Sequence, residues 1–350
     1  MNRHPVAVVG ASGYSGIELL RVLLQHPAVD LRVVTSRQFA GKSVAEVFPR
    51  FRGLGSAETL RFTAPAPEEL AANPSIETAF LALPHGVAAG HAIPLLAAGK
   101  KVIDLSADFR LRSPEVYEEF YDHPHPAPEL LAKAVYGLPE VRPEAIRGAD
   151  LIAAPGCYPT SILLPLIPLL KAGLVSPVGI SVASMSGVSG AGRKESLPLL
   201  FAECNESARA YGVPKHRHLS EIEQELSLAA GTGVVITFVP HLIPVTAGIA
   251  TTIIAEPAGN LTDPSAIGAA LESAYTGKPA VRLLGRDQCP DTRHVTRSRF
   301  IDIGWSFDTR ANRVLLFSAE DNLWKGASSQ AVQCLNLMLG LDETTGLGQH

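Results

Sequence analysis

The stretch VAVVGASGYSGIELLRVLLQHP, residues 6–27, decides the fold. Val6–Val9 is a short apolar run without alternation, the pattern of a parallel strand buried on both faces. Gly10, Gly13 and Gly16 follow. Ile17, Leu19, Leu20, Leu23 and Leu24 then recur at helical spacing, and Pro27 closes the helix. Strand, glycine-rich turn and helix therefore succeed one another within one short segment. Outward from it, LRVVTSR (31–37), TAFLALPHG (78–86), KKVIDLSADFR (100–110) and ADLIAAPGC (149–157) read as four further strands, with a helix over 86–98. Strands alternating with helices imply βαβ units and a doubly wound parallel sheet.

Beyond Cys157 the character changes. The segments 178–192, 233–256, 280–285, 299–308 and 313–320 are strand-like with few helices between them, which predicts a mixed sheet and a second α/β domain. The segment DNLWKGASSQAVQCLNLMLGL (321–341) reads as a helix that rejoins the first domain, because a doubly wound sheet needs helices on both faces. The expected division is 1–154 with 319–350 against 155–318.

Composition agrees with two domains: 350 residues, 46% of them hydrophobic and 18% charged. A formal charge of -4 speaks against a nucleic-acid or anionic-membrane surface. Cys157, Cys204, Cys289 and Cys334 show no CxxC spacing and read as free thiols of a reducing cytoplasm. The N-terminus enters a strand at once, without a signal-peptide layout. The apolar run 162–170 is about half a membrane span and carries Pro165 and Pro168. A soluble, cytoplasmic protein is expected.

The first turn, GASGYSG, predicts a dinucleotide site. Its glycines allow the tight turn and close approach of the backbone, and the helix N-terminus faces a pyrophosphate. Gly10, Ser12, Gly13, Tyr14 and Gly16 are its candidate residues. The second strand ends in Thr35-Ser36-Arg37, with no acid to bond a ribose 2′-hydroxyl. Ser36 and Arg37 suit a 2′-phosphate instead, so NADP is the expected cofactor.

Cys157 follows a strand end and precedes Pro159, which suits the first turn of a helix. A thiol at the positive end of a helix dipole is favoured as thiolate. A thiolate beside NADP implies hydride chemistry on a thioester or thiohemiacetal, with a histidine as base. PKHRHLSEIEQEL (214–226) offers His216 and His218, of which His216 is slightly preferred. Glu221 is placed to orient an imidazole or to meet substrate. An HxH pair also reads as half a metal site, but no third ligand has credible spacing, so no metal is expected. The turn MSGVSGAGRK (185–194) offers Ser186, Gly187, Ser189, Arg193 and Lys194 for substrate, with backbone N–H groups and a cation for a phosphate or carboxylate.

Together these motifs resemble the N-acetyl-gamma-glutamyl-phosphate reductases of arginine biosynthesis. VGASGYSGIELLR, LALPHG, VIDLSADFRL, YGLPE, PGCYPT, SGVSGAGRK, HRHLSEIEQ, FVPHLIPV and DNLWKGASSQAVQ carry the resemblance in order along the chain. It implies a homodimer or homotetramer of two-domain subunits that reduces a small-molecule acyl phosphate with NADPH and releases phosphate. It implies Cys157 as nucleophile, the HRH histidines as the acid/base region, and Asn322 at the cofactor. The chain departs from the family pattern at Ala247, where arginine is usual, and at Arg297-Ser298-Arg299, where Gly-Ser-Asn is usual. The related reductases of the carrier-protein lysine pathway read GCNAT where this chain has GCYPT. Aspartate-semialdehyde dehydrogenases lack the HRH segment. A non-catalytic NADP sensor on the same fold would have no need of Cys157, His216 and His218.

Overall fold

The structure, a computed structural model, describes residues 3–193 and 195–348. Two compact units divide the chain. One runs to Pro155 and resumes at Ala327, and the other holds Gly156–Gly326.

The first unit contains β1 (His4–Val9), β2 (Val29–Thr35), β3 (Phe62–Thr63), β4 (Thr78–Leu81), β5 (Lys101–Asp104), β6 (Val135–Tyr136) and β7 (Leu151–Ala153). Their order is β3-β2-β1-β4-β5-β7-β6, and every pairing is parallel. The strand order reverses between β1 and β4, and in an open parallel sheet the crevice for a ligand opens at that point, outside the carboxyl ends of the strands. The helix Tyr14–Leu23 follows β1 and turns Ile17, Leu19, Leu20 and Leu23 into the core. The helix Ser329–Met338 belongs to this unit, as the two-faced sheet demands, and all ten of its residues are buried.

The second unit contains β8 (Ile180–Ser186), β9 (Arg209–Ala210), β10 (Ile236–Leu242), β11 (Ile249–Ala255), β12 (Val281–Arg286), β13 (Ile301–Asp308) and β14 (Arg313–Glu320). They form a mixed sheet in the order β12-β13-β14-β11-β8-β10-β9. The chain leaves this unit after Gly326, later than the expected 319. The reason is that β14 pairs to its last residue, Glu320 facing both Ile249 and Ile301. Asp321 and Asn322 are then bonded to Arg297 and Gly248 of the same unit.

The helix Cys157–Lys171 lies on this sheet and is buried from Tyr158 to Leu170. It continues through Pro165 and Pro168, each of which leaves a carbonyl four residues earlier without its usual N–H partner. Both carbonyls are recovered by hydroxyls. Ser318 Oγ donates to Ser161 O at 2.6 Å, and Tyr275 Oη donates to Leu164 O at 2.5 Å. The run that ends at half a membrane span is thus a core helix, and no helix among the described residues is long and apolar enough to cross a membrane.

Candidate active site

In the first unit, the turn after β1 is fixed by its neighbours before any ligand is considered. Gly10 lies at φ +82°, and a Cβ there would stand 2.4 Å from Ala82 O, so the close approach of the turn to the end of β4 requires glycine. Thr35 Oγ1 accepts a hydrogen bond from Gly10 N–H at 3.0 Å, and Thr35 O accepts one from Ala11 N–H. Ser12 and Ser36 hydroxyls meet at 2.9 Å, which joins the first turn to the end of β2. Gly13 caps the helix Tyr14–Leu23 with its backbone alone, so no side chain fills the helix N-terminus. Gly16 lies in the first turn of that helix, packed against Gly10 and Ala11, and Tyr14 and Arg37 are exposed. The site therefore combines an uncapped helix N-terminus, two hydroxyls and an exposed guanidinium, which fits a dinucleotide carrying a 2′-phosphate. The role of Thr35 beneath the turn is visible only in the structure, where its burial distinguishes it from any strand threonine.

In the second unit, Cys157 is the first residue of its helix, half-buried, with Gly156 as the cap. Gly156 N–H donates to Glu221 Oε2 at 3.2 Å. A Cβ on Gly156 would stand 2.7 Å from both Cε1 and Nε2 of His218 and 2.8 Å from Glu221 Oε1. His218 Nε2 and Glu221 Oε1 are 4.0 Å apart, one turn along the helix His218–Ala230. Glu221 is 1% exposed, so its carboxylate acts in a site shielded from water. The structure thus brings the thiol, one imidazole and one carboxylate around a single glycine.

His216 has a different setting. Its ring packs edge-on against Tyr158, Tyr211, Phe238 and His218, with centroids 5.0–5.7 Å away. Its Nδ1 accepts a hydrogen bond from His218 N–H at 3.2 Å, at the start of the helix. Burial, with Arg217 beside it, pushes the imidazole down to about 4. A histidine held neutral at that level is poorly matched to acid/base work near neutral pH. His216 thus sits inside an aromatic box, whereas His218 stands beside Gly156 and Glu221. The aromatic box was not legible in the sequence, since Tyr158, Tyr211 and Phe238 come from three separate segments. Tyr158 and Tyr211 share a hydrogen bond of 2.8 Å, and burial pushes the Tyr211 phenol up to about 12.

The turn after β8 departs from its expected use. Gly187, Val188 and Ser189 N–H groups donate to Gly248 O, Val245 O and Thr246 O, at 2.9–3.0 Å. Those three donors are engaged within the protein, so they do not form the expected anion cradle. Ser186 and Ser189 are buried, and Ser189 Oγ accepts from Asn322 Nδ2 at 3.0 Å. Asn322 Oδ1 accepts from Gly248 N–H at 2.8 Å. Both ends of this carboxamide therefore tie the 187–189 turn to the 245–248 loop within the second unit. Arg193 is exposed beside the turn, and Lys194 lies outside the described residues. Among the described residues no three His, Cys, Asp or Glu side chains are grouped to hold a metal ion.

This pair of units matches known families in the same order. Residues 5–149 match the semialdehyde dehydrogenase NAD binding domain, and 157–322 match the semialdehyde dehydrogenase dimerisation domain. Solved structures share the fold: aspartate semialdehyde dehydrogenase II of Vibrio cholerae, complexed with ASA, has a TM-score of 0.73 at 20% identity, over 97% of this chain and 99% of that one. The enzyme of Candida albicans with NADP has a TM-score of 0.67 at 15% identity, over 96% and 99%. The fold and both domain matches are thus those of the semialdehyde dehydrogenase class. Within that class, an N-acetyl-gamma-glutamyl-phosphate reductase of Akkermansia muciniphila is 60% identical over 99% of both chains. Those of Geobacter sp. strain M21 and Pseudomonas putida strain W619 are 49% and 48% identical, each over 98% of this chain and 97% of the relative. The chain belongs to the N-acetyl-gamma-glutamyl-phosphate reductase family.

Proposed function

We propose that this chain reduces N-acetyl-gamma-glutamyl phosphate to the 5-semialdehyde, with NADPH as reductant and release of phosphate, through a thioester on Cys157. The observation that carries the reading is the meeting of Cys157, His218 and Glu221 around Gly156 at a helix N-terminus. Family membership supports the substrate.

The cofactor fits Gly10, Ser12, Gly13, Tyr14, Gly16, Ser36 and Arg37, and when bound it supplies a hydride. His218 takes the thiol proton of Cys157, and the sulfur attacks the acyl-phosphate carbon. First-turn N–H groups of the helix steady the oxyanion, and phosphate leaves with the electron pair of the broken C–O bond. Once the thioester has been reduced to the thiohemiacetal oxyanion, its collapse to the aldehyde carbonyl expels the sulfur, which the His218 imidazolium protonates. Glu221 keeps the imidazole oriented and offsets its charge. His216 fixes the start of the helix that carries both. The exposed Arg193 beside the 187–189 turn is the cation proposed to meet the substrate.

A homodimer or homotetramer in the cytoplasm completes the reading. The match of residues 157–322 to a dimerisation domain supports the self-association, and light scattering on the purified protein measures it.

The test is the reverse reaction: phosphate-dependent reduction of NADP⁺ by N-acetylglutamate semialdehyde, in wild type and Cys157→Ser. Activity that disappears in the variant supports substrate and covalent route together. An inactive wild type that still binds NADPH removes the substrate assignment, and the carrier-linked lysine-pathway substrate is tried next.

A further inference from the structure

A second buried carboxylate stands near the nucleophile, next to Gly326. Glu320 is the last residue of β14 and is fully buried. The point where a Cβ of Gly326 would lie is 2.7 Å from Cys157 Cβ and 2.9 Å from Glu320 Oε1. One methyl-sized space thus separates the thiol-bearing side chain from the carboxylate, and glycine leaves that space open.

The direction of the strand places the acid there. Inward-facing residues of β14 alternate, and Ser318 donates to Ser161 O, in the second turn of the nucleophile helix. Glu320, two residues on, reaches back to the first turn, where the helix dipole is most positive. A carboxylate and a thiolate at one helix start compete for the same positive potential, and neighbouring anions disfavour each other's charge. Among the described residues, His218 and Glu221 stand across Gly156, the Tyr158 and Tyr211 phenols interact electrostatically with Cys157, and fully buried Lys325 precedes Gly326.

We infer that Glu320 is a positioning residue that holds the Cys157 thiol in its protonated form in the resting site, so that the thiolate forms only as His218 takes the proton. This rests on the reading of Cys157 as nucleophile. On this inference the proton passes from sulfur to imidazole, and Glu320 acts in its ionised form.

The experiment needs neither substrate nor turnover. Alkylation of Cys157 by iodoacetamide is followed against pH by peptide mass spectrometry, which separates it from Cys204, Cys289 and Cys334. In Glu320→Gln the midpoint of the rate profile is expected to fall by roughly one pH unit, about a tenfold faster reaction on the acid limb. Glu320→Asp, which keeps the charge but draws it back, is expected to fall by less, and it serves if the glutamine variant does not fold. A midpoint that stays put or rises in the folded variants overturns the inference. A failure of the nucleophile reading shows separately, as retained activity in Cys157→Ser. A merely structural glutamate would change yield and melting temperature without moving the thiol midpoint.

Discussion

His218 and Glu221 meet over Gly156, with Nε2 of the imidazole 4.0 Å from Oε1 of the carboxylate. One helical turn sets the spacing, and the absence of a side chain at residue 156 lets both reach the residue next to the nucleophile. His218→Asn is therefore expected to lower kcat by about 10²–10⁴-fold, the range for loss of a general acid/base. Glu221→Gln should cost less, because the base stays. His216→Asn should cost least in kcat, since its ring supports the helix start. Steady-state kinetics on the three variants at one pH check the ranking. A larger loss in His216→Asn than in His218→Asn would reverse the assignment.

The His216 setting also makes stability depend on pH. Burial lowers this imidazole from 6.5 to about 4. The unfolded chain therefore takes up the proton first as pH falls. Stability is unaffected above the unfolded value, declines between 6.5 and 4, and by pH 4 and below has lost on the order of 3 kcal/mol. Urea melts across that range should show the decline in wild type. His216→Phe, which keeps an apolar ring in the box, should flatten it even if its stability near neutral pH is lower.

Thr35 gives a prediction confined to the cofactor. Thr35→Val removes the acceptor of Gly10 N–H without changing shape, at a cost of about 1–2 kcal/mol for a buried unpaired donor. KM for NADPH should rise about 5–30-fold while KM for the acyl phosphate stays near wild type. Equal rises in both would mean that the hydroxyl supports the whole fold rather than the turn.

Gly326 gives a prediction confined to the nucleophile. A methyl group there would stand 2.7 Å from Cys157 Cβ, closer than real side chains approach. Gly326→Ala should displace the thiol and lower kcat by about 10²-fold, the penalty for an ångström-scale misplacement. Circular dichroism should show an intact fold.

The parts legible in the sequence are those that a local pattern dictates. Val6–Val9 with its glycines and helix, the placement of Cys157 at a helix start, and the return of the last helix all follow from short-range spacing and the need to cover a parallel sheet. The strands β3 and β6, two residues each, carry no periodicity to read. Pro165 and Pro168 read as interruptions, because the hydroxyls that make them tolerable come from Ser318 and Tyr275, far along the chain. His216 and His218 are equivalent in a linear reading. What separates them is the box of Tyr158, Tyr211 and Phe238 around one and Gly156 with Glu221 beside the other. The 187–189 turn misled for the same reason, since its donors are claimed by a loop some sixty residues later.

The chain enters the second unit at Gly156 and leaves it at Gly326, and both residues touch the nucleophile's surroundings. For an engineer this is a rule of cutting. The segment 156–326 is a cassette with a glycine at each splice point, each leaving no room for a side chain near the nucleophile. A cofactor domain of different nucleotide preference can be grafted on only if the junctions preserve both glycines, and a linker of even one residue at either end would be felt first at the thiol.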